Sequence, residues 1–358
     1  MLNILSNWIH RYFSDEEAVL LVVFLIGALV IMVTMGSILA PMMAGVVIAF
    51  LLQGLVLKLK SFGLPHVVAV TITFLLLVGF IVVSLIWILP VIWNQIRALI
   101  AELPRMLTQS QQLLLLLPEK YPNLISESQV QEVLELARKE LGTVGQTLLT
   151  FSLANAPLIV AALIYLVLVP ILVFFFLKDA QALQQSLSSL LPHRRPVMTK
   201  IWTEMNLQIA NYVRGKVIEI FIVGVTTYVC FALLDVNYAL LLGVAVGLSV
   251  IIPYIGAAVV TIPVALIGYF QWGWSNEFYY LMAAYTVIQA LDGNVLVPLL
   301  FSEAVNLHPI AIILSVLVFG GLWGFWGVFF AIPLATLIKA IVSAWPLAQQ
   351  ELSEAEES

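Results

Sequence analysis

Long apolar runs separated by short polar segments make up most of this chain. The first run, residues 18–57, contains no charged side chain. Because a helix needs about 20 apolar residues to cross the hydrocarbon core of a bilayer, this run predicts two membrane-spanning segments. Gly36, Ser37 and Pro41 lie in its middle and are expected to break the helix there.

Six further spans are predicted by the later apolar runs, at 67–96, 156–177, 217–234, 238–276, 278–290 and 309–337. The run at 238–276 is interrupted at 252–256, so it forms either one kinked helix or a re-entrant pair. The predicted fold class is an all-α polytopic integral membrane protein with about eight transmembrane segments, some of them broken by proline or glycine. Seven or nine crossings are the alternatives.

Two polar segments predict amphipathic surface helices. Between 128 and 142, apolar residues recur at helical spacing with glutamates on the opposite face, which predicts a helix lying on the membrane. A plain solvated connector is the alternative. Between 178 and 216, two apolar stripes flank the turn at 192–196, which predicts a helical hairpin on a membrane surface.

Positive charges predict the orientation of the chain. Positive charges favour the cytoplasmic side, and they occur at Arg11, Lys58, Lys60 and in the basic segment 178–216. The slightly acidic segment 97–142 favours the outside. Both termini are then cytoplasmic. The predicted parts are three N-terminal spans (1–96), an extracytoplasmic amphipathic segment (97–150), the fourth span (151–177), a cytoplasmic basic hairpin (178–216), a C-terminal membrane core with broken helices (217–342) and an acidic cytoplasmic tail (343–358).

Composition supports a membrane protein and excludes several functions. Hydrophobic residues make up 62% of the chain and charged residues only 10%, too few to cover a water-facing surface. The lysines and arginines form no basic stripe, so a lipid bilayer is the expected partner and nucleic acid is not. HExxH, GxSxG, phosphate-loop and CxxC motifs are absent, and the histidines have no metal-ligand spacing. Neither an enzyme nor a metal or other cofactor is predicted.

Polar residues and helix breaks at membrane depth are the candidate functional positions. A charged side chain there is costly, so it usually faces a cavity or a partner. Irregular backbone is tolerated only where protein buries it or water reaches it. The alternative is that these groups lie at the interface or pair with Arg214 and Lys216. The candidates for a substrate or ion path are Asp292, Asn294, Glu219, Arg214, Pro253, Tyr254, Gly256 and His308.

A glycine run marks the last apolar stretch. Gly320, Gly324 and Gly327 lie close together there, and the first two form a GxxxG pattern. Such a pattern lets another helix approach closely, so these glycines predict helix packing, with a gating hinge as the alternative.

Several of these stretches resemble the autoinducer-2 exporter family of permeases. The similar stretches are 170–179, 211–216, 252–256, 292–298, 307–309 and the glycine run through 331–333. The resemblance implies a bacterial inner-membrane protein with an extracytoplasmic middle segment, forming a homo-oligomer. It also implies transport, because some members resemble exporters of a small furanone signal and others are linked to sodium/proton antiport.

Three functional hypotheses follow. The first is a secondary carrier that exports a small polar solute, such as an autoinducer-2-like signal. The second is cation/proton exchange, with Asp292 and Glu219 carrying charge. The third is a membrane scaffold that binds a partner through 97–142, which requires that the broken helices pack tightly and line no cavity.

Overall fold

A computed structural model describes residues 16–120, 156–189, 196–301, 307–344 and part of 128–139. Its helices are α1 (Glu16–Ser61), α2 (His66–Val83), α3 (Leu89–Lys120), α4 (Ala156–Lys178), α5 (Ala180–Ser189), α6 (Pro196–Leu233), α7 (Ala239–Ser249), α8 (Ile255–Trp272), α9 (Asn276–Leu291), α10 (Val297–Phe301), α11 (Pro309–Phe329) and α12 (Ala331–Ala344). Two π-helical turns join α2 to α3 (Ser84–Ile88) and α9 to α10 (Asp292–Leu296). No strand occurs in these ranges, so the all-α prediction is confirmed.

Eight stretches of the described chain are long and apolar enough to cross a membrane. In the apolar 18-residue window of each stretch, at most 28% of the residues are buried inside the protein. Apolar surface left exposed on this scale needs lipid or another apolar surface to cover it. The predicted multi-pass membrane architecture is confirmed.

The expected break in the first apolar run does not end the helix. α1 is continuous from Glu16 to Ser61 and contains Pro41. Leu21 belongs to a buried cluster with Ile201 of α6, and the Phe50 ring lies 5.3 Å from Arg214 Cζ. Residues on either side of Pro41 therefore lie close to α6.

α6 crosses a boundary that the charge pattern placed between 216 and 217. The second half of the predicted surface hairpin and the fifth span form one helix, Pro196–Leu233. Charged residues at 214, 216 and 219 do not end it, because lysine, arginine and glutamate are good helix formers. The predicted turn at 192–196 lies mostly outside the described residues.

The run at 238–276 is a pair of helices, α7 and α8, separated by a turn. Tyr254 precedes α8 with φ 63° and ψ −49°, a conformation that few side chains adopt. Gly256 lies so close to the backbone of Ser249 that a Cβ there would overlap the Ser249 carbonyl. The backbone therefore reverses at the predicted break.

The last apolar run, expected to be a single span at 309–337, is instead a hairpin of α11 and α12. Gly324 has φ 58° and ψ −134° and interrupts the helical geometry within α11. A Cβ at Gly320 would contact Val328, and one at Gly327 would overlap the Phe319 carbonyl. These glycines therefore pack within their own hairpin, since the chain folds back at Gly324.

The tip of this hairpin contacts the N-terminal helix. Gly36 of α1 is buried, and a Cβ added to it would overlap the indole of Trp323. Hydropathy hides this contact because both residues lie in uniformly apolar runs.

α6 is the centre of the C-terminal core and packs against α7, α9, α10 and α12, and also against α1. One buried cluster joins α6 to α7, α8 and α9 through Phe231, Val246, Val264 and Leu281. A second joins α6 to α10, α11 and α12 through Tyr212, Phe301, Ile312 and Ile332. The broken helices are therefore held around one face of α6.

The predicted amphipathic helix at 128–142 is described only in part. The described residues between 128 and 139 are helical. Val130 and Leu134 are buried, whereas Glu132 and Glu135 are exposed, as the spacing predicts. Its location on the membrane surface stays a prediction, and its other apolar positions lie outside the described residues.

Candidate functional site

Three buried polar side chains lie close together on one face of α6. Tyr212, Lys216 and Glu219 are spaced four and then three residues apart, which places them on the same side of a helix. Lys216 is 4% exposed and Glu219 only 1%, so both charges are withdrawn from solvent. The exposed Arg214 lies on a different side of α6.

Lys216 and Glu219 form a buried ion pair. The distance from Lys216 Nζ to Glu219 Oε2 is 2.7 Å. A charge-assisted bond of this length offsets part of the cost of removing two charges from water. Removing one partner would leave the other charge buried alone, which is strongly unfavourable.

Lys216 also connects α6 to the end of α7. Its ammonium donates a hydrogen bond of 2.9 Å to the carbonyl of Val250, and the Phe301 ring centroid lies 5.2 Å away. Carbonyls at a helix C-terminus carry partial negative charge, so a cation is favourable there. Lys216 therefore contacts both a carboxylate and the start of the α7–α8 turn.

Asp292 supplies a second carboxylate from the π-helical turn after α9. The Val297 amide donates to the Asp292 carbonyl, a spacing of five residues that widens the helix. Among the described residues, buried Asp292 Oδ1 has no hydrogen-bond partner. Asp292 lines the same cavity as Lys216 and Glu219.

These groups line one cavity of about 590 Å³. Its walls come from α6, the α7–α8 turn, α9 and its π-helical turn, α10, and the starts of α11 and α12. Most lining residues are apolar, and the polar ones are Tyr212, Lys216, Glu219, Tyr254, Gln289 and Asp292. A mostly apolar cavity with a few converging polar groups is the usual form of a small-molecule site.

A hydrogen-bonded network supports the wall formed by α8 and α9. Gln289 donates to the hydroxyl of Tyr285 at 3.0 Å. That hydroxyl lies 2.9 Å from the hydroxyl of Thr261 and 3.2 Å from the carbonyl of Ala257. Gln289 and Ala257 both line the cavity, so the network fixes two of its walls relative to each other.

Four candidate residues from the sequence meet at this cavity: Glu219, Asp292, Pro253 and Tyr254. Gly256 lies one turn away, where it allows the tight reversal beside Ser249. Glu219 pairs with Lys216, and both side chains are buried within the protein.

Three other candidates do not line the cavity. Arg214 is exposed and stacks over Phe50. Asn294 is exposed and donates to the Ala290 carbonyl within its own helix. Exposed His308 caps α11, its Nδ1 accepting from the Ile310 amide at 3.3 Å. Each has a structural partner in this conformation.

The candidates for a substrate or ion path did not include the other polar residues of the site, although the sequence offered Lys216 as a possible ion-pair partner. Tyr212, Lys216 and Gln289 all line the cavity, with Phe301 as an aromatic wall. The three-residue spacing between Lys216 and Glu219 is the available signal, because residues three apart meet on a helix. Within the described residues no group of three or more histidine, cysteine, aspartate or glutamate side chains could hold a metal ion.

The fold and the cavity define a helical multi-pass membrane protein whose broken spans enclose charged groups. The model of the AI-2E family transporter matches residues 2–347. The chain belongs to the AI-2E family of transporters, as the resemblance predicted.

Individual relatives agree with this assignment. PerM of Escherichia coli (strain K12), which carries the designation permease, is 46% identical over 346 residues. The match covers 97% of this chain and 98% of PerM. YueF of Bacillus subtilis (strain 168), designated a transport protein, is 25% identical over 293 residues, covering 80% of this chain and 78% of YueF.

Proposed function

We propose that this protein is a secondary transporter that carries a small polar solute across the bacterial inner membrane. The observation that carries the proposal is the charged cavity lined by the broken helices of the C-terminal core. Discontinuous helices around a polar site are a recurring design of secondary transporters. The designations of PerM and YueF support the same reading.

The size of the cavity favours an organic solute. A volume of about 590 Å³ lies within the range of small-molecule sites and far exceeds the space that one metal ion needs. Export of an autoinducer-2-like signal is part of this proposal, supported by the resemblance to the autoinducer-2 exporter family. Cytoplasmic termini and a homo-oligomer belong to the same proposal, supported by the charge pattern and by the resemblance.

Cation/proton exchange is the second candidate. It is favoured by two carboxylates, Glu219 and Asp292, within one membrane cavity. A carboxylate at membrane depth is a functional hypothesis in its own right, because its insertion is costly. A scaffold is less well supported, since it requires broken helices that enclose no cavity.

Flux into proteoliposomes of the purified protein tests the proposal. The vesicles would contain a pH-sensitive dye, and labelled polar solutes would be offered under sodium and pH gradients. We expect solute flux that falls about tenfold or more in Asp292→Asn, because a charged hydrogen-bonding group of the cavity is lost. Asp179→Asn, the same change at a partly exposed carboxylate outside the cavity, should transport like wild type.

Two results would contradict solute transport. Sodium-dependent proton movement that disappears in Asp292→Asn, without any solute flux, would establish exchange. No movement of solute or ion under any gradient would remove both transport candidates.

A further inference from the structure

Three charged residues line the cavity in the part of the chain that the structure describes: Lys216, Glu219 and Asp292. The nearby Arg214 and His308 are exposed and have partners elsewhere. The cavity therefore holds two carboxylates and one ammonium.

Two polar contacts hold the ammonium on one side of this cluster. Lys216 Nζ contacts the Glu219 carboxylate at 2.7 Å and the Val250 carbonyl at 2.9 Å. Asp292 Oδ1 and the Tyr212 hydroxyl are buried without a hydrogen-bond partner among the described residues. One positive charge is thus shared unequally between two carboxylates.

Lysine suits a movable role. Its ammonium is a compact charge at the end of a flexible four-carbon chain, without the fixed planar geometry of arginine. The attachment of Lys216 three residues from Glu219 keeps the ammonium at high effective concentration beside that carboxylate.

We propose that Lys216 is a tethered cation that occupies the place of a monovalent cation from solution. In the conformation described, its ammonium neutralises Glu219. A cation that enters the cavity binds the carboxylates by displacing Lys216. This inference rests on the proposed transport function and adds the class of ion, with one positive charge, that competes inside the cavity.

The arrangement links ion binding to the broken helices. When Lys216 leaves Glu219 it also leaves Val250, at the start of the α7–α8 turn. A cation on Glu219 thus removes a bond that holds this turn to α6. Aromatic rings of Tyr212 and Phe301 beside the site suit an inorganic or an organic monocation, since ring faces attract both.

Thermal unfolding of the purified full-length protein tests the inference, because a ligand that binds the folded state raises the unfolding midpoint. The probes are sodium chloride and methylammonium chloride, with ionic strength held constant by N-methylglucamine chloride. We expect the half-maximal cation concentration in Lys216→Gln to be about tenfold or more below that of wild type, because the tethered competitor is gone. Lys200→Gln, at an exposed position of α6, should behave like wild type. The cation with the lower half-maximal concentration shows whether the cavity prefers an inorganic or an organic monocation.

Glu219→Gln provides the opposite test and covers a Lys216→Gln variant that fails to fold. It releases Lys216 to Asp292, so the cation response should weaken about tenfold or more relative to wild type. The double variant Lys216→Gln/Glu219→Gln lacks both charges of the ion pair. Its unfolding midpoint should therefore respond less to the cation than that of Lys216→Gln alone. An unchanged or weaker response in Lys216→Gln, or an unchanged response in Glu219→Gln, overturns the inference.

The binding test is independent of transport. A cation response that follows these expectations without any flux in proteoliposomes would keep the tethered cation and remove the transporter proposal. Solute flux without any cation response in the variants would keep the transporter proposal and remove the tethered cation.

Discussion

At Gly36 the backbone of α1 lies against the indole of Trp323, a contact between residues far apart in the chain. Trp323 Nε1 is buried there without a hydrogen-bond partner among the described residues. An indole N–H is usually bonded when buried. Close packing against a residue without a side chain is therefore what holds this tryptophan.

Gly36→Ala should destabilise the protein by about 1–3 kcal/mol, because the new methyl group overlaps the indole and forces it to move. Thermal unfolding in detergent measures the effect. Gly27→Ala is the matched control in the same helix, where a Cβ meets open space and alanine favours the helix. Equal unfolding midpoints for the two variants would contradict the contact. A Gly36→Ala destabilisation that is just as large when Trp323 is already replaced by alanine would also contradict it.

Three of the sequence candidates that line the cavity break the apolar pattern. Glu219 and Asp292 do so by charge, and Pro253 by ending a helix. Lys216 was less visible because a lysine at the edge of a polar segment usually extends to the membrane surface. Its buried position depends on Val250, 34 residues later in the chain, and no local pattern reports such a contact.

At the scale of elements, the α11–α12 hairpin depends on one backbone conformation. Gly324 has φ 58° and ψ −134°, a region that is essentially restricted to glycine. The neighbouring Gly321 lies in α11, and a Cβ there would meet open space. The two glycines therefore differ in backbone conformation although neither position is crowded.

Gly324→Ala should lower the stability by about 1–3 kcal/mol through backbone strain. Gly321→Ala should be neutral or slightly stabilising, because alanine favours a helix. Thermal unfolding of both variants in the same detergent checks the difference. A Gly324→Ala midpoint equal to that of Gly321→Ala would show that the turn is not required.

Charge-free runs were sufficient to locate the apolar elements, but not to define how each one folds. Hydropathy reports that 309–337 is apolar and does not distinguish one span from a hairpin. The distinction depends on the backbone conformation of Gly324 and on the close approach of Gly327 to the Phe319 carbonyl. Hydropathy reports neither. Hydropathy also missed the continuity of α6 through Lys216. A charged residue marks the end of a membrane span only when it lies at the membrane surface, whereas Lys216 is buried in the protein.

At the scale of the whole molecule, the distribution of positive charge predicts the orientation in the membrane. The 178–216 segment is basic and the 97–142 segment is slightly acidic. Cationic segments remain preferentially in the cytoplasm. The two segments are therefore expected on opposite sides of the bilayer.

Cysteine labelling tests this orientation. Cys230 would first be replaced by serine, since it is the single cysteine of the chain. In that background Glu132→Cys should react with a membrane-impermeant maleimide in cells whose outer membrane has been opened, and Lys200→Cys only after the inner membrane is opened too. Both positions are exposed in the structure. Labelling of Lys200→Cys before Glu132→Cys would reverse the orientation.

The contact of Gly36 with Trp323 has a consequence for biosynthesis. A ribosome adds about 5–20 residues per second, and Trp323 is made about 290 residues after Gly36, so roughly 15–60 s separate the two. During that interval α1 is already synthesised, but the indole that covers Gly36 does not yet exist. Lipid or an insertion factor must occupy this surface until the end of translation, and the last hairpin must displace it to complete the fold.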